Sequence, residues 1–182
     1  MTAPAVTKRP ALILVPLLAG AVVAVGLGVF GRLHTATGTA LFTAGFPSLI
    51  SFKVWLTVAA LFFALVQLVT ALWIFGKLGR PAPSWAGGLH RVTGAIAFLL
   101  TVPVALQCLW VLGFETYSPR VVVHGLFGCL FYGAFVAKVL TLHSKRLPNW
   151  ALPWVGGILF TALVGVATTS AIWYLATTGV PK

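Results

Sequence analysis

Acidic side chains are almost absent from this sequence of 182 residues. Glu115 is the one acidic residue, against twelve lysines and arginines, and the formal net charge is +11. Paired carboxylates for acid–base catalysis and carboxylate cages for metal ions are therefore excluded. A Ser-His-Asp triad lacks its acidic member, and no G-x-S-x-G motif is present.

Charge of either sign is scarce as well. Only 7% of the residues are charged, 60% are hydrophobic and the mean hydropathy is +1.06, whereas a soluble domain carries roughly a quarter charged residues. This composition is typical of an integral membrane protein. The basic residues lie between apolar runs and form no stripe, which argues against nucleic-acid binding.

Cysteine motifs and nucleotide-binding glycine motifs are also missing. The two cysteines, Cys108 and Cys129, lie in separate apolar runs and form no CxxC pair, so a thioredoxin-type relay has no support. We expect both thiols to pack as small apolar groups. A disulfide between them stays open at the level of the sequence.

What the sequence has in abundance is long apolar runs. Five of them approach the ~20 residues that a helix needs to cross the hydrocarbon layer of a bilayer. They predict an all-α membrane bundle of five helices forming a single transmembrane domain, with a four-helix core from helices two to five. The predicted spans cover residues of about 11–30, 52–75, 89–114, 121–142 and 150–175.

The basic residues predict an orientation for this bundle. With the N-terminus inside, eight lysines and arginines lie on the inner side and four on the outer side, which favours N-in, C-out. The inner set is Lys8, Arg9, Lys77, Arg80, Arg91, Lys138, Lys145 and Arg146; the outer set is Arg32, Lys53, Arg120 and Lys182.

Histidine is the residue type best able to carry chemistry here, because imidazole ligates haem iron in membrane cytochromes. His124 and His143 are separated by nineteen residues of one span, roughly 28 Å along a helix, so they cannot share one iron. Their depths instead predict an inner pair, His90 with His143, and an outer pair, His34 with His124. His90 and His124 are the predicted iron ligands. The alternative is structural, since three of the four histidines lie at span ends, where a polar tip reaches water or headgroups.

Two basic residues and one amide complete the predicted site. Lys138 follows His124 by fourteen residues and projects from nearly the same helix face. It is expected to reach the inner headgroups or a haem propionate, and Arg91, next to His90, is a second candidate for a propionate. Gln107 lies near the level of His124 and is expected to hydrogen-bond it.

Several short strings resemble an uncharacterised family of bacterial five-span membrane proteins. They are Leu33-His34-Thr35, His90-Arg91-x-x-Gly94, Arg120-x-x-x-His124-Gly125 and Phe131-Tyr132-Gly133-Ala134-Phe135-x-x-Lys138. The family is in turn similar to transmembrane b-type cytochromes of the ferric-reductase and ascorbate-reducible kind. The resemblance implies a multi-pass protein of the bacterial plasma membrane with haem b as cofactor.

The sequence therefore predicts a small electron-transfer protein that binds b-type haem between helices. Whether it is a subunit of an oxidoreductase stays open at the level of the sequence. Its partners would be the lipid bilayer and a quinol or redox protein. One alternative is a non-catalytic anchor for a redox or metal-handling partner. A small-solute transporter is a third hypothesis, which the absence of inverted repeats and of intramembrane carboxylates disfavours.

Overall fold

The structure, a computed structural model, describes residues 9–181 and is helical without strands throughout that part of the chain. Lys8 and Lys182, which entered the predicted orientation, lie outside the described residues. The helices are α1 (Leu14–Leu33, after a 3-10 turn at Pro10–Ile13), α2 (Leu49–Ile74), α3 (Ala86–Leu106), α4 (Pro119–His143), α5 (Ala151–Ala167) and α6 (Trp173–Thr178). Two π-helical segments interrupt this pattern, Gln107–Leu112 directly after α3 and Thr168–Ile172 between α5 and α6.

Five continuous helical stretches are long and apolar enough to cross a membrane, which confirms the predicted all-α bundle of five spans. They are Pro10–Leu33, Leu49–Ile74, Ala86–Leu112, Pro119–His143 and Ala151–Thr178. Three helices, α2, α3 and α4, begin earlier than the apolar pattern indicated, and a serine caps two of them, α2 and α4. The Ser48 hydroxyl accepts from Ser51 N at 3.1 Å, and the Ser118 hydroxyl accepts from Val121 N at 3.3 Å.

The bundle is built on three closely packed helix pairs: α2 with α3, α1 with α4, and α4 with α5. The pair of α1 and α4 depends on two glycines, since a Cβ placed on Gly20 or on Gly133 would collide with the carbonyl oxygen of the other. Small residues permit this backbone approach within a bilayer. The predicted core of helices two to five is thus joined by α1, which packs against α4 as directly as α5 does.

An aromatic cluster of α3 and α4 divides the interior into two ends. Phe98 stacks on Phe135 with ring centroids 3.7 Å apart, and it also contacts Phe131 and Tyr132. Along α4 the cluster lies between His124 and Lys138, and along α3 it lies between His90 and Cys108. We call the two sides the His124 end and the His90 end of the bundle.

The connection of residues 34–48 is tied down at the His124 end. The side chain of Gln107, which is fully buried, accepts from Leu41 N at 3.1 Å and donates to the Phe42 carbonyl at 2.6 Å. The predicted hydrogen bond between Gln107 and His124 is therefore wrong. The backbone of an irregular loop offers unpaired donors and acceptors, and a buried amide satisfies one of each.

Candidate functional site

The His124 end contains a cavity of about 700 Å³ that residues of all five spans line. This volume lies within the range of small-molecule and cofactor sites. Most of the lining is apolar, and its charged side chains, Lys53, Glu115 and Arg120, come from the ends of α2 and α4 and the connection between the third and fourth spans. From Arg120 to Tyr132, both of which line it, the cavity follows α4 over about 18 Å. It is therefore a deep apolar site with a polar mouth.

His124 lines this cavity, and its imidazole is hydrogen-bonded to a threonine of the fifth span. The Thr169 hydroxyl donates to the Gly165 carbonyl at 2.6 Å, and the same oxygen lies 3.2 Å from His124 Nδ1. When the single hydroxyl proton lies on the Gly165 carbonyl, the oxygen accepts from Nδ1–H of the imidazole. Nε2 of His124 then keeps its lone pair. Imidazoles that bind metals are oriented in this way, through a hydrogen bond from the ring nitrogen that does not bind the metal.

Arg120 is fixed through the same turn of the fifth span. Its guanidinium donates to the Thr169 carbonyl at 2.6 Å and lies 3.6 Å from the ring centroid of Trp173. Stacking on an indole is a favourable position for a guanidinium. Thr169 therefore positions both polar side chains that α4 contributes at this depth, one through its hydroxyl and the other through its carbonyl.

Both π-helical segments contribute to the cavity wall, with Cys108 and Val111 from the first and Ser170 and Ala171 from the second. π-helical turns in α-helices often occur at functional sites. Sequence reasoning did not find these segments. One available signal was the run Thr168-Thr169-Ser170, whose three hydroxyls donate to carbonyls four residues earlier at 2.9, 2.6 and 2.6 Å. Such bonds compete with regular helix geometry.

The two glycines that follow His124 have different surroundings. A Cβ on Gly125 would lie 2.8 Å from the ring of Phe114, so this glycine makes room for a neighbouring side chain. A Cβ on Gly128 would meet nothing within 4 Å, and Gly128 lines the cavity. Gly128 thus leaves a bare stretch of wall beside the imidazole.

The His90 end repeats the imidazole–threonine pair. His90 Nδ1 lies 2.9 Å from the Thr70 hydroxyl, which donates to the Val66 carbonyl at 2.8 Å. The Gln67 amide donates to the His90 carbonyl and, at 2.6 Å, to the Thr93 hydroxyl. Lys138 is half-buried on α4, at the same end of the bundle. None of these side chains lines the cavity at the other end.

The remaining predicted site residues lie elsewhere. His34 Nε2 donates to the Trp110 carbonyl at 3.2 Å, and the ring stacks on Phe30. His143 is exposed, and its Nδ1 donates to the Val139 carbonyl of its own helix at 2.8 Å. Arg91 is exposed at the start of α3. Within residues 9–181, no hydrogen bond or ring contact joins His90 to His143 or His34 to His124.

The other candidate ligands do not form a metal cage. In the described part of the chain, no three His, Cys, Asp or Glu side chains come together as a metal site. Cys108 and Cys129 are free thiols that both line the cavity. His124 is the imidazole that the cavity offers.

Comparisons with known proteins identify the family and nothing more specific. No curated protein and no solved structure matches the chain. The model of a family of unknown function, DUF6529, matches residues 13–182. Because that match covers nearly the whole sequence, the chain belongs to the DUF6529 family.

Proposed function

We propose that this protein is a small transmembrane electron-transfer protein that holds one b-type haem in the cavity at the His124 end. His124 would be the iron ligand, through Nε2. The supporting observation is an imidazole whose Nδ1 is hydrogen-bonded to Thr169 and whose ring lines a large, mostly apolar cavity. A bound haem would supply one-electron chemistry.

The residues of the cavity suit such a group in three respects. The volume of about 700 Å³ lies within the range of cofactor sites. Gly128, one helical turn after His124 on α4, leaves a stretch of the cavity wall without a side chain. Lys53 and Arg120 lie at the polar mouth, where acidic groups of a ligand would face them. These features support one haem with a single imidazole ligand, and the proposal does not extend to a second haem at His90.

The proposal includes a place and a partner. The five apolar spans suit a multi-pass protein, and we place it in the bacterial plasma membrane, with a quinol or a redox protein as electron partner. The likeness to b-type cytochromes of the ferric-reductase and ascorbate-reducible kind is part of this proposal.

A visible spectrum tests the proposal. Protein purified in detergent from haem-supplied cells is expected to show the bands of reduced haem b after dithionite, and His124→Ala is expected to lose them. His143→Ala is the matched control, because that imidazole is exposed and bonded to its own helix. A colourless preparation, or an unchanged spectrum in His124→Ala, would overturn the proposal. A stoichiometric partner protein in a colourless preparation would point instead to an anchor subunit.

A further inference from the structure

Two cations from different helices lie at the mouth of the cavity. Lys53 is the fifth residue of α2 and Arg120 the second residue of α4, and both side chains are half-buried and line the cavity. In the sequence these residues counted only toward membrane orientation. The structure places them over an apolar chamber.

We propose that Lys53 and Arg120 form an anion-binding rim, which selects a ligand with carboxylates at one end and a rigid apolar body. This inference rests on the proposed function, since the tetrapyrrole acids are the ligand class that fits both the rim and His124. The carboxylates would lie between α2 and α4 at the mouth, and the apolar body would extend past Gly128 toward Tyr132.

Arg120 is prepared for this role before a ligand arrives. Its guanidinium carries five N–H donors, and the Thr169 carbonyl occupies one of them. The stack on Trp173 holds its plane in place. Little side-chain entropy is then lost when an anion binds, which is how preorganisation raises affinity.

The charge at the mouth remains positive after the one acidic side chain is counted. Glu115 lines the same mouth, so Lys53 and Arg120 against Glu115 leave an excess of one positive charge. The chain has no other Asp or Glu with which the cations could pair. An acidic ligand would supply the missing negative charge and make charge-assisted hydrogen bonds with both residues.

Iron-free porphyrins separate the rim from the iron ligand. We would titrate the cofactor-free protein in neutral detergent with protoporphyrin IX and with its dimethyl ester, and follow tryptophan quenching. The free acid is expected to bind roughly tenfold to hundredfold more tightly than the ester, the range for a hydrogen bond to a charged group. Lys53→Met, which keeps the length of the side chain, is expected to remove most of this preference. Arg120→Gln is a second test at the other side of the mouth.

Lys77→Met is the matched control, because Lys77 is exposed after the end of α2, at the His90 end. It should bind both porphyrins as the unchanged protein does. The inference is overturned if the unchanged protein does not discriminate between acid and ester, or if both rim variants keep the full preference. It is also overturned if vesicles of anionic phospholipid displace the porphyrin acid at equal concentration, because the rim would then be a headgroup site.

His124→Ala distinguishes this inference from the proposed function. That variant is expected to lose the haem spectrum but to keep its preference for the iron-free acid over the ester. Should the haem bands be absent from every preparation while the preference persists, the rim stands and only the electron-transfer proposal fails.

Discussion

The two ends of the bundle use the same pair of side chains in different surroundings. At the His124 end, the imidazole donates to Thr169, and at the His90 end, it donates to Thr70; each threonine hydroxyl donates in turn to a carbonyl of its own helix. In both places a neutral ring that donates from Nδ1 leaves Nε2 unprotonated. Only His124 has a large cavity beside it, whereas His90 lies in a cluster with Gln67 and Thr93.

A hydrogen-bonded, oriented imidazole is therefore not by itself a binding site. A threonine acceptor satisfies a buried histidine wherever two helices meet, so the pair has a purely structural use. A large cavity beside the ring and the charged side chains at its mouth distinguish the His124 end. Both π-helical segments lie at this end, in two different spans, and both form part of the cavity wall.

Removing each imidazole in turn tests whether the two ends of the bundle differ in haem binding. His124→Ala is expected to abolish haem binding, since it removes the iron ligand, whereas His90→Ala is expected to keep the spectrum of reduced haem. Visible spectra of the two purified variants make the measurement. Loss of the bands in both variants would mean that both histidines are needed for haem binding, in line with the prediction from the sequence that each is an iron ligand.

Removing the hydroxyl of either threonine should have a smaller effect on haem binding than removing His124. Thr169→Val leaves His124 Nδ1 without its acceptor, and haem affinity is expected to fall by about 10–100-fold, the usual cost of losing an outer-shell partner. Thr70→Val is the matched change at the other end. It should leave haem affinity unchanged and lower the free energy of unfolding by about 1 kcal/mol.

Haem titration and unfolding in detergent measure the two effects on the same variants. Equal haem affinities in Thr169→Val and Thr70→Val would contradict the assignment of His124 as the ligand. Thr169→Ser provides a rescue control, because it keeps the hydroxyl that accepts from the imidazole.

The fold was predictable from the sequence to the extent that it depends on composition and local signals. Apolar length alone indicates five spans, because only helices satisfy their backbone groups inside a bilayer. The starts of α2 and α4 were placed late, since Ser48 and Ser118 cap the helices one turn before the apolar pattern becomes clear. A cap is a local feature, and a serine just before an apolar run is the sequence signal that indicates it.

The candidate site was predictable only in part, because it depends on which helices are neighbours. The sequence singled out His124 as the histidine deepest in a span, and the structure places it on the cavity. Thr169 is 45 residues away, and no periodicity links the two. Lys53 counted only toward membrane orientation, since nothing local shows that it faces a chamber. Gln107 was assigned to His124 by depth, and the loop backbone holds it instead.

Two glycines of α4 give a third comparison, in thermodynamic stability. Gly133→Ala places a methyl group against the Gly20 carbonyl and 2.9 Å from the Cβ of Ala24, and we expect it to lower the free energy of unfolding by about 1–3 kcal/mol. Gly128→Ala places the same group in open space. It is expected to be neutral or to raise stability by about 0.5–1 kcal/mol. Unfolding in detergent compares them, and equal losses would show that the gap beside Gly128 does not exist.

Removing the negative charge of Glu115 at the mouth should change ligand affinity only slightly. Glu115→Gln removes the one carboxylate facing the rim, so the free acid of protoporphyrin should bind a few-fold more tightly, in keeping with the modest worth of an exposed charge. The ester, which carries no charge at that end, should bind as before. The gain should shrink in high salt, because salt screens exposed charges. Weaker binding of the acid in Glu115→Gln would mean that the glutamate positions Lys53 or Arg120 and does not oppose the ligand. The excess positive charge at the mouth would then not be the cause of the preference for an acid.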